Sequence, residues 1–438
     1  MKHKKLFISL TAVLSVILFL AVFLFTWYLL DFYPDFNKDF RKEFEIPGLD
    51  DGAVPQGFST CSATHETTDA DGKKTSETRQ YYFISAYMVD GSPSRLYVTG
   101  DKEGYIGYVT MKDLTGNEIK GHCGGVAING STLWVADGKT VYVAKASAEY
   151  KSKNIAREII EKAAYSQNPV VENDDGTTET KEFNISFTSS FNANCNASFL
   201  FYYDDSRYSS VTYDRLYVGE FYRKGNYETH ETRHLKTPGG YKNTAFMYEY
   251  NVSSSSDNKY GLVTLSDDTL DEESKVPKIQ KIFSLPEQIQ GVAFSRRKGY
   301  GTNDGMLVLS QSYGLKNSHL LCFDWAKVTA NANAVSYTNL HEDSFAYEGI
   351  FKKVGDKQIK YTDNSLKVYY VDKGNKDMFV NDYSIPSMSE GMCVFTPPKA
   401  NDTASVRIYV LFESAGKKYN KFVRERLENV YSFIPHEK

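Results

Sequence analysis

Aromatic and β-branched residues in this chain come in short runs, and the runs recur. Tyr81–Met88, Leu133–Ala136, Arg215–Phe221, Met306–Ser310 and Arg407–Phe412 each read as a strand. After a turn, a second run follows each: Arg95–Val98, Thr140–Val143, Ala245–Tyr250, His319–Phe323 and Asn429–Phe433. A repeated phrase sets the period. Phe283-Ser-Leu-Pro-Glu-Gln-Ile-Gln-Gly-Val292 returns 100 residues later as Tyr383-Ser-Ile-Pro-Ser-Met-Ser-Glu-Gly-Met392. Looser copies are Phe44-Glu-Ile-Pro47 with Pro55-Gln-Gly-Phe58, then Gly124-Gly-Val-Ala-Ile128, then Asn196-Ala-Ser-Phe199, where Ala197 stands for the glycine.

The marks Gly57, Gly125, Ala197, Gly291 and Gly391 are 68, 72, 94 and 100 residues apart. Strand–turn–strand units at a long period predict an all-β propeller, with insertions lengthening each unit beyond the ~40–50 residues a four-stranded blade needs. Five blades account for the marks, or six if one long interval hides another. After Gly391 only three strands remain, Gly391–Phe395, Arg407–Phe412 and Asn429–Ile434. The segment Phe44–Pro47 would supply the fourth and close the ring, removing an exposed edge. Residues 148–166 place Ile155, Ile159, Ile160 and Ala163 at helical spacing, which predicts a helix packed on a blade. Residues 62–80 read as a polar hairpin tip, and 253–278 and 326–365 as polar loops.

The N-terminal pattern differs in kind. Lys-His-Lys-Lys at positions 2–5 precedes 25 residues without a charge, Leu6–Leu30, ending in Phe25, Trp27 and Tyr28. The run is long enough to span a ~30 Å hydrocarbon core and too long for a cleaved signal core of ~7–15 apolar residues. It predicts a single-pass signal anchor over 1–30 with a cytoplasmic N-terminus, a juxtamembrane linker over 31–43, and an extracytoplasmic propeller over 44–438.

Composition changes the picture in two ways. Lys+Arg 51 against Asp+Glu 55 gives a net charge of −4, so there is no basic surplus for nucleic acid. The five cysteines have no C-x-x-C spacing, which points to buried thiols rather than disulfides or structural zinc.

A polar residue before Gly, an inner strand, then a Leu-Tyr-Val-type second strand resembles the NHL, gluconolactonase-type (SMP-30-like) and strictosidine-synthase-like propellers over roughly residues 44–435. The resemblance implies a divalent cation such as calcium, held by an inner-strand Glu and by Asn and Asp ligands. Glu390 matches the Glu, although Met392 replaces the family's Pro, and Asn196 matches one Asn; no Asp can be placed.

In a propeller, loops entering the inner strands and loops between second and third strands open on one face. The first set gives Gln56, His122, Asn196, Gln290 and Glu390. From the second set come Ser85, Tyr87, Arg95, Ser310, Ser312, His319 and Glu413, with Asp137, Glu220 and Ser414 beside them. Such hydroxyls, amides and carboxylates suit a small polar ligand or an envelope protein partner. Each has a plain structural alternative: Ser and Gln cap backbone groups, and single His residues satisfy local acceptors. Glu390 is the sharpest candidate, because a carboxylate at a channel mouth is costly to desolvate unless paired. Asp137-Gly-Lys-Thr140 lacks the first P-loop glycine, and neither H-E-x-x-H nor G-x-S-x-G occurs. The sequence therefore favours a binding module, with a metal-dependent lactonase- or esterase-like hydrolase using Glu390 as the alternative.

Overall fold

The computed structural model describes residues 32–68, 72–150, 154–172, 177–193, 195–204, 213–255, 258–264, 276–295, 305–336, 352–354, 357–359, 366–395 and 406–436, with positions 13, 15–19 and 22. Among these, the apolar runs assemble into five sheets of at least four strands each. Blade 1 holds Ala53–Thr68, Lys74–Met88, Arg95–Gly100 and Gly104–Lys112. Blade 2 holds Gly125–Ile128, Thr132–Asp137, Thr140–Lys145 and Ser189–Asn192. Blade 3 is Ala197–Tyr203, Arg215–Glu220, Ala245–Asn251 and Ile279–Leu285. Blade 4 is Ile289–Ser295, Met306–Gln311, Ser318–Asp324 and Phe379–Ile385. Blade 5 is Ser389–Phe395, Arg407–Phe412, Asn429–Phe433 and, outermost, Arg41–Glu45.

The first strand of each blade touches the first strand of the next, and blade 5 touches blade 1, so the ring is closed around one axis. Five blades are present, not six. The ring closes by an N-terminal strand as expected, but that strand is Arg41–Glu45 rather than Phe44–Pro47: Arg41 pairs with Ser432 and Glu45 with Asn429. Further segments contribute strands that the sequence pattern does not suggest. Lys367–Tyr370 joins blade 3 in parallel beside Ile279–Leu285, with Ala334–Ser336 outside it. Asn184–Ser186 extends blade 1 in parallel.

Second strands such as Leu-Tyr-Val and Leu-Trp-Val are buried on both faces because each blade is sandwiched between two others. The core is therefore divided into clusters between blades. Trp134 is fully buried and donates its indole N–H to Tyr260 O at 2.8 Å, which satisfies its polar atom. The predicted helix forms over Ile155–Tyr165; Asn154 caps it by accepting from Arg157 N, and Ile155, Ile159 and Ala163 are buried against blades 1 and 2. None of the five cysteines is in a disulfide, and four of them are buried.

The anchor expected over residues 6–30 falls mostly outside the described residues. Those of its positions that are described, 13, 15–19 and 22, are helical, and Val13, Val16, Ile17, Leu18, Phe19 and Val22 are exposed. Among the described residues no helix is long and apolar enough to cross a membrane.

Candidate functional site

In four blades the inner strand carries an irregularity at its start, where residues bulge out of the ladder. It lies between Pro55 and Phe58, Ala197 and Phe199, Ile289 and Gly291, and Ser389 and Met392. Bulges re-aim side chains. Here they carry Gln56, Ser198, Gln290 and Glu390. The glycines beside them are required by the neighbouring blade. A Cβ on Gly57 would meet Val126 N at 2.6 Å, one on Gly291 would meet Glu390 O at 2.7 Å, and one on Gly391 would meet Phe58 N at 2.7 Å.

Blade 3 departs from the sequence reading. The bulge register places Ser198, not Asn196, where the other blades have Gln or Glu. Phe199 takes the place of the glycine, and Gly219 opposite supplies the missing room, since a Cβ there would fall within 1.9 Å of the Phe199 ring. Asn196 is exposed, beside Gly138 ahead of the strand. Asn196, which the family resemblance implied as a metal ligand with Glu390, therefore does not share the bulge position of Glu390. No cluster of three or more His, Cys, Asp or Glu that could hold a metal exists among the described residues.

Gln56, Gln290, Glu390 and Glu413 do come together. Gln290 Nε2 lies 3.4 Å from Glu390 Oε1, and Gln56 Nε2 donates to Glu413 Oε2 at 3.0 Å and to Pro55 O at 2.9 Å. Glu413 is held at the end of the second strand of blade 5, where its N–H donates to Met388 O at 3.0 Å. Met388 has a φ of +66°, and Gln288 repeats that conformation in blade 4 at +64°, accepting from Ser312 N. These two left-handed residues are what the repeated Ser-Leu/Ile-Pro phrase encodes, at a cost of order 1 kcal/mol or more each.

The two carboxyls are both buried, 4% and 9% exposed, and they hydrogen-bond each other. Burial drives Glu390 far above the ordinary carboxyl range, and the neighbouring Glu413 adds to it. Burial also lifts Glu413, to about 7, opposed by Lys418 and by hydrogen bonds from Gln56 and Glu390. Both carboxyls are thus held above the ordinary range and titrate as one coupled pair.

Around the pair stand Tyr87, Tyr419, Lys418 and His122. Lys418 Nζ donates to the Tyr87 hydroxyl at 2.7 Å and lies 5.1 Å above the Tyr87 ring and 4.9 Å above that of Tyr419. The His122 ring sits 4.4 Å from Tyr87; desolvation, then Lys418, lowers its pKa, so it is neutral near pH 7. Lys418 and Tyr419 escaped the sequence reading. They lie in a loop with no spacing signal, where only Lys417-Lys418-Tyr419 itself hints at a cation beside an aromatic ring.

The other sequence candidates serve the scaffold. Ser85 is fully buried, accepting from Gly57 N at 3.0 Å and donating to Cys123 O at 2.7 Å. Ser310 and Ser389 hydroxyls meet at 2.7 Å between blades 4 and 5, and Ser312 accepts from Ser318 at 2.9 Å. Burial commits these hydroxyls to contacts within and between blades. Arg95 and His319 lie on third strands, farther from the axis. Arg95 stacks 4.2 Å over Tyr108, and His319 Nδ1 is 2.8 Å from Asp382 Oδ1. Glu220 is fixed by Arg233 Nη1 at 2.8 Å and by Phe246 N at 2.8 Å.

No family model and no curated protein matches this chain. Among solved structures it is similar to the crystal structure of Kluyvelomyces marxianus Hsv2, at 8% identity and a TM-score of 0.23, over 80% of this chain and 90% of that one. The propeller assignment rests on the closed ring of sheets themselves.

Proposed function

We propose that the chain is a binding propeller whose mouth takes a small polar ligand carrying a positive charge, and that residues 6–30 tether it to a membrane with the propeller outside. The observation that carries the ligand reading is the buried Glu390–Glu413 pair at the axis, flanked by the amides of Gln56 and Gln290. A pair that holds one proton when empty ionises fully against a cation, so binding releases a proton. Tyr87 and Tyr419 offer ring faces beside it, and Lys418 already rests an ammonium group there. The exposed apolar helical positions between Val13 and Val22 support the tether.

Calorimetry tests the ligand reading, with methylammonium, choline, calcium and acetate as probes in buffers of different ionisation enthalpy. An organic cation should bind with uptake of about one proton by the buffer, and Glu390→Gln with Glu413→Gln should abolish it. Binding of acetate alone, or cation binding unchanged by the double substitution, sinks the reading. A second reading has its own support: a carboxyl near 7 is suited to general acid–base work, which the alternative hydrolase would use. Ester or lactone turnover lost in Glu413→Gln would select it. For the tether, carbonate extraction of membranes should leave the full chain in the pellet and release a chain starting at residue 32.

A further inference from the structure

The far end of the ring axis carries a second feature, independent of the mouth. A cavity of about 210 Å³ opens there, walled by the distal halves of the inner strands of blades 1, 2, 3 and 5. Its polar lining is Ser59, Thr60, Ser62, Gln80, Asn129 and Asp204, and Phe201 and Tyr202 give it aromatic walls. We propose that this cavity is a binding site for a small uncharged polyhydroxylated molecule, of monosaccharide size or less.

Three observations set the ligand class. First, among the described residues no Lys, Arg or His lines the cavity. An anionic ligand would find no countercharge among these described residues and would lie beside the carboxyl of Asp204, so the described lining favours a neutral ligand. Second, the hydroxyls are fixed by one another. Thr60 Oγ1 donates to Tyr81 O at 2.9 Å and accepts from Gln80 Nε2, and Ser62 Oγ donates to Gln80 Oε1 at 2.8 Å. With those hydroxyl hydrogens committed, Thr60 and Ser62 offer lone pairs. Ser59 Oγ instead accepts from Ile128 N at 3.2 Å, which leaves it a proton to donate. A wall that presents acceptors next to a donor matches groups that both give and take hydrogen bonds, which is what hydroxyls do. Third, the volume lies below the ~300–1,000 Å³ of sites for drug-sized ligands, and the ring faces suit the C–H face of a polyol.

Cys61 lines this cavity and is half-buried, whereas the other four cysteines are buried. Its alkylation by iodoacetamide, followed by peptide mass spectrometry on the full chain, therefore reports occupancy. The probes are glycerol, myo-inositol and D-glucose, with D-glucose 6-phosphate as the charged control. At least one neutral polyol should slow Cys61 alkylation, by about threefold at twice its dissociation constant, and the phosphorylated sugar should not. Thr60→Val with Ser62→Ala should restore the unprotected rate; if that pair fails to fold, Gln80→Met serves, with near-ultraviolet dichroism as the check on folding. Absence of protection by every neutral polyol overturns the proposal. So does equal protection by glucose 6-phosphate, or protection that survives the substitutions.

Discussion

Blades 3 and 5 each bury a glutamate where the second strand ends, and each glutamate is neutralised differently. Glu220 has a guanidinium at 2.8 Å and a backbone N–H at 2.8 Å, and burial sets against these to leave it near 7. Glu413 reaches the same region with no guanidinium. Its relief comes from an exposed lysine, an amide and a second carboxyl, Glu390, which is itself driven far higher. The first arrangement is saturated: every strong donor is supplied from within, on two elements of one blade. The second is assembled from facing blades and is left one positive charge short. A carboxylate that is structurally complete has nothing to offer a ligand, whereas a pair held together by a proton can exchange that proton for a cation.

The largest test removes the counterion in each blade. Arg233→Met leaves Glu220 buried without its guanidinium and should cost about 3–5 kcal/mol in urea unfolding. Lys418→Met, on an exposed side chain, should cost well under 1 kcal/mol. Equal losses would erase the distinction between the blades.

The pH dependence comes next. Carboxyls raised in the folded state bind protons more tightly folded than unfolded, so the stability they contribute is present in acid and falls as pH rises above the ordinary value near 4.5. For Glu413, moved to about 7, that fall is about 3 kcal/mol and is complete slightly above pH 7. Glu390 extends the decline to more alkaline pH. Thermal melts from pH 5 to 9 should therefore show a loss above pH 7 that Glu390→Gln removes, while Glu220→Gln flattens only the portion between 4.5 and 7. An unchanged alkaline limb in Glu390→Gln would mean that the proton is not held where the geometry puts it.

A smaller effect separates the bulges. Gly391→Ala would drive a methyl against Phe58 N and Gln56 O of blade 1 and should cost about 1–3 kcal/mol. Ser198→Gly, in a bulge where Phe199 already replaces the tight glycine, should change stability by less than about 0.5 kcal/mol by denaturant midpoint. It should leave ligand binding at the mouth unaltered.

These blades also explain what was readable in the chain. The ring, its five-fold count and the closing strand were legible because inter-blade packing demands glycine next to a polar bulge residue, and that demand recurs in Gln56-Gly57, Gln290-Gly291 and Glu390-Gly391. Blade 3 escaped by moving the small residue across the ladder to Gly219, so its mark was read two residues early and Asn196 was chosen over Ser198. Glu413 was found from strand order. Lys418 and Tyr419 were not, because a loop brings them to the axis by its path rather than by any periodicity. The serines hold scaffold contacts for a physical reason: a hydroxyl near an axis is as useful for stitching the scaffold as for facing solvent. The added strand Lys367–Tyr370 of blade 3 is apolar, with Val368 and Tyr369 buried, but four residues outside any repeat carry no period to mark them.

The closing seam sets a timetable for the molecule. Arg41–Glu45 is made before every other strand of the ring, and its partner Asn429–Phe433 after every other. Until that partner emerges, Arg41–Glu45 has nothing to pair with and the circle is a horseshoe with two raw borders. Closure thus waits for the ring's last strand, and a truncation that removes Asn429–Phe433 should be felt first at Arg41–Glu45.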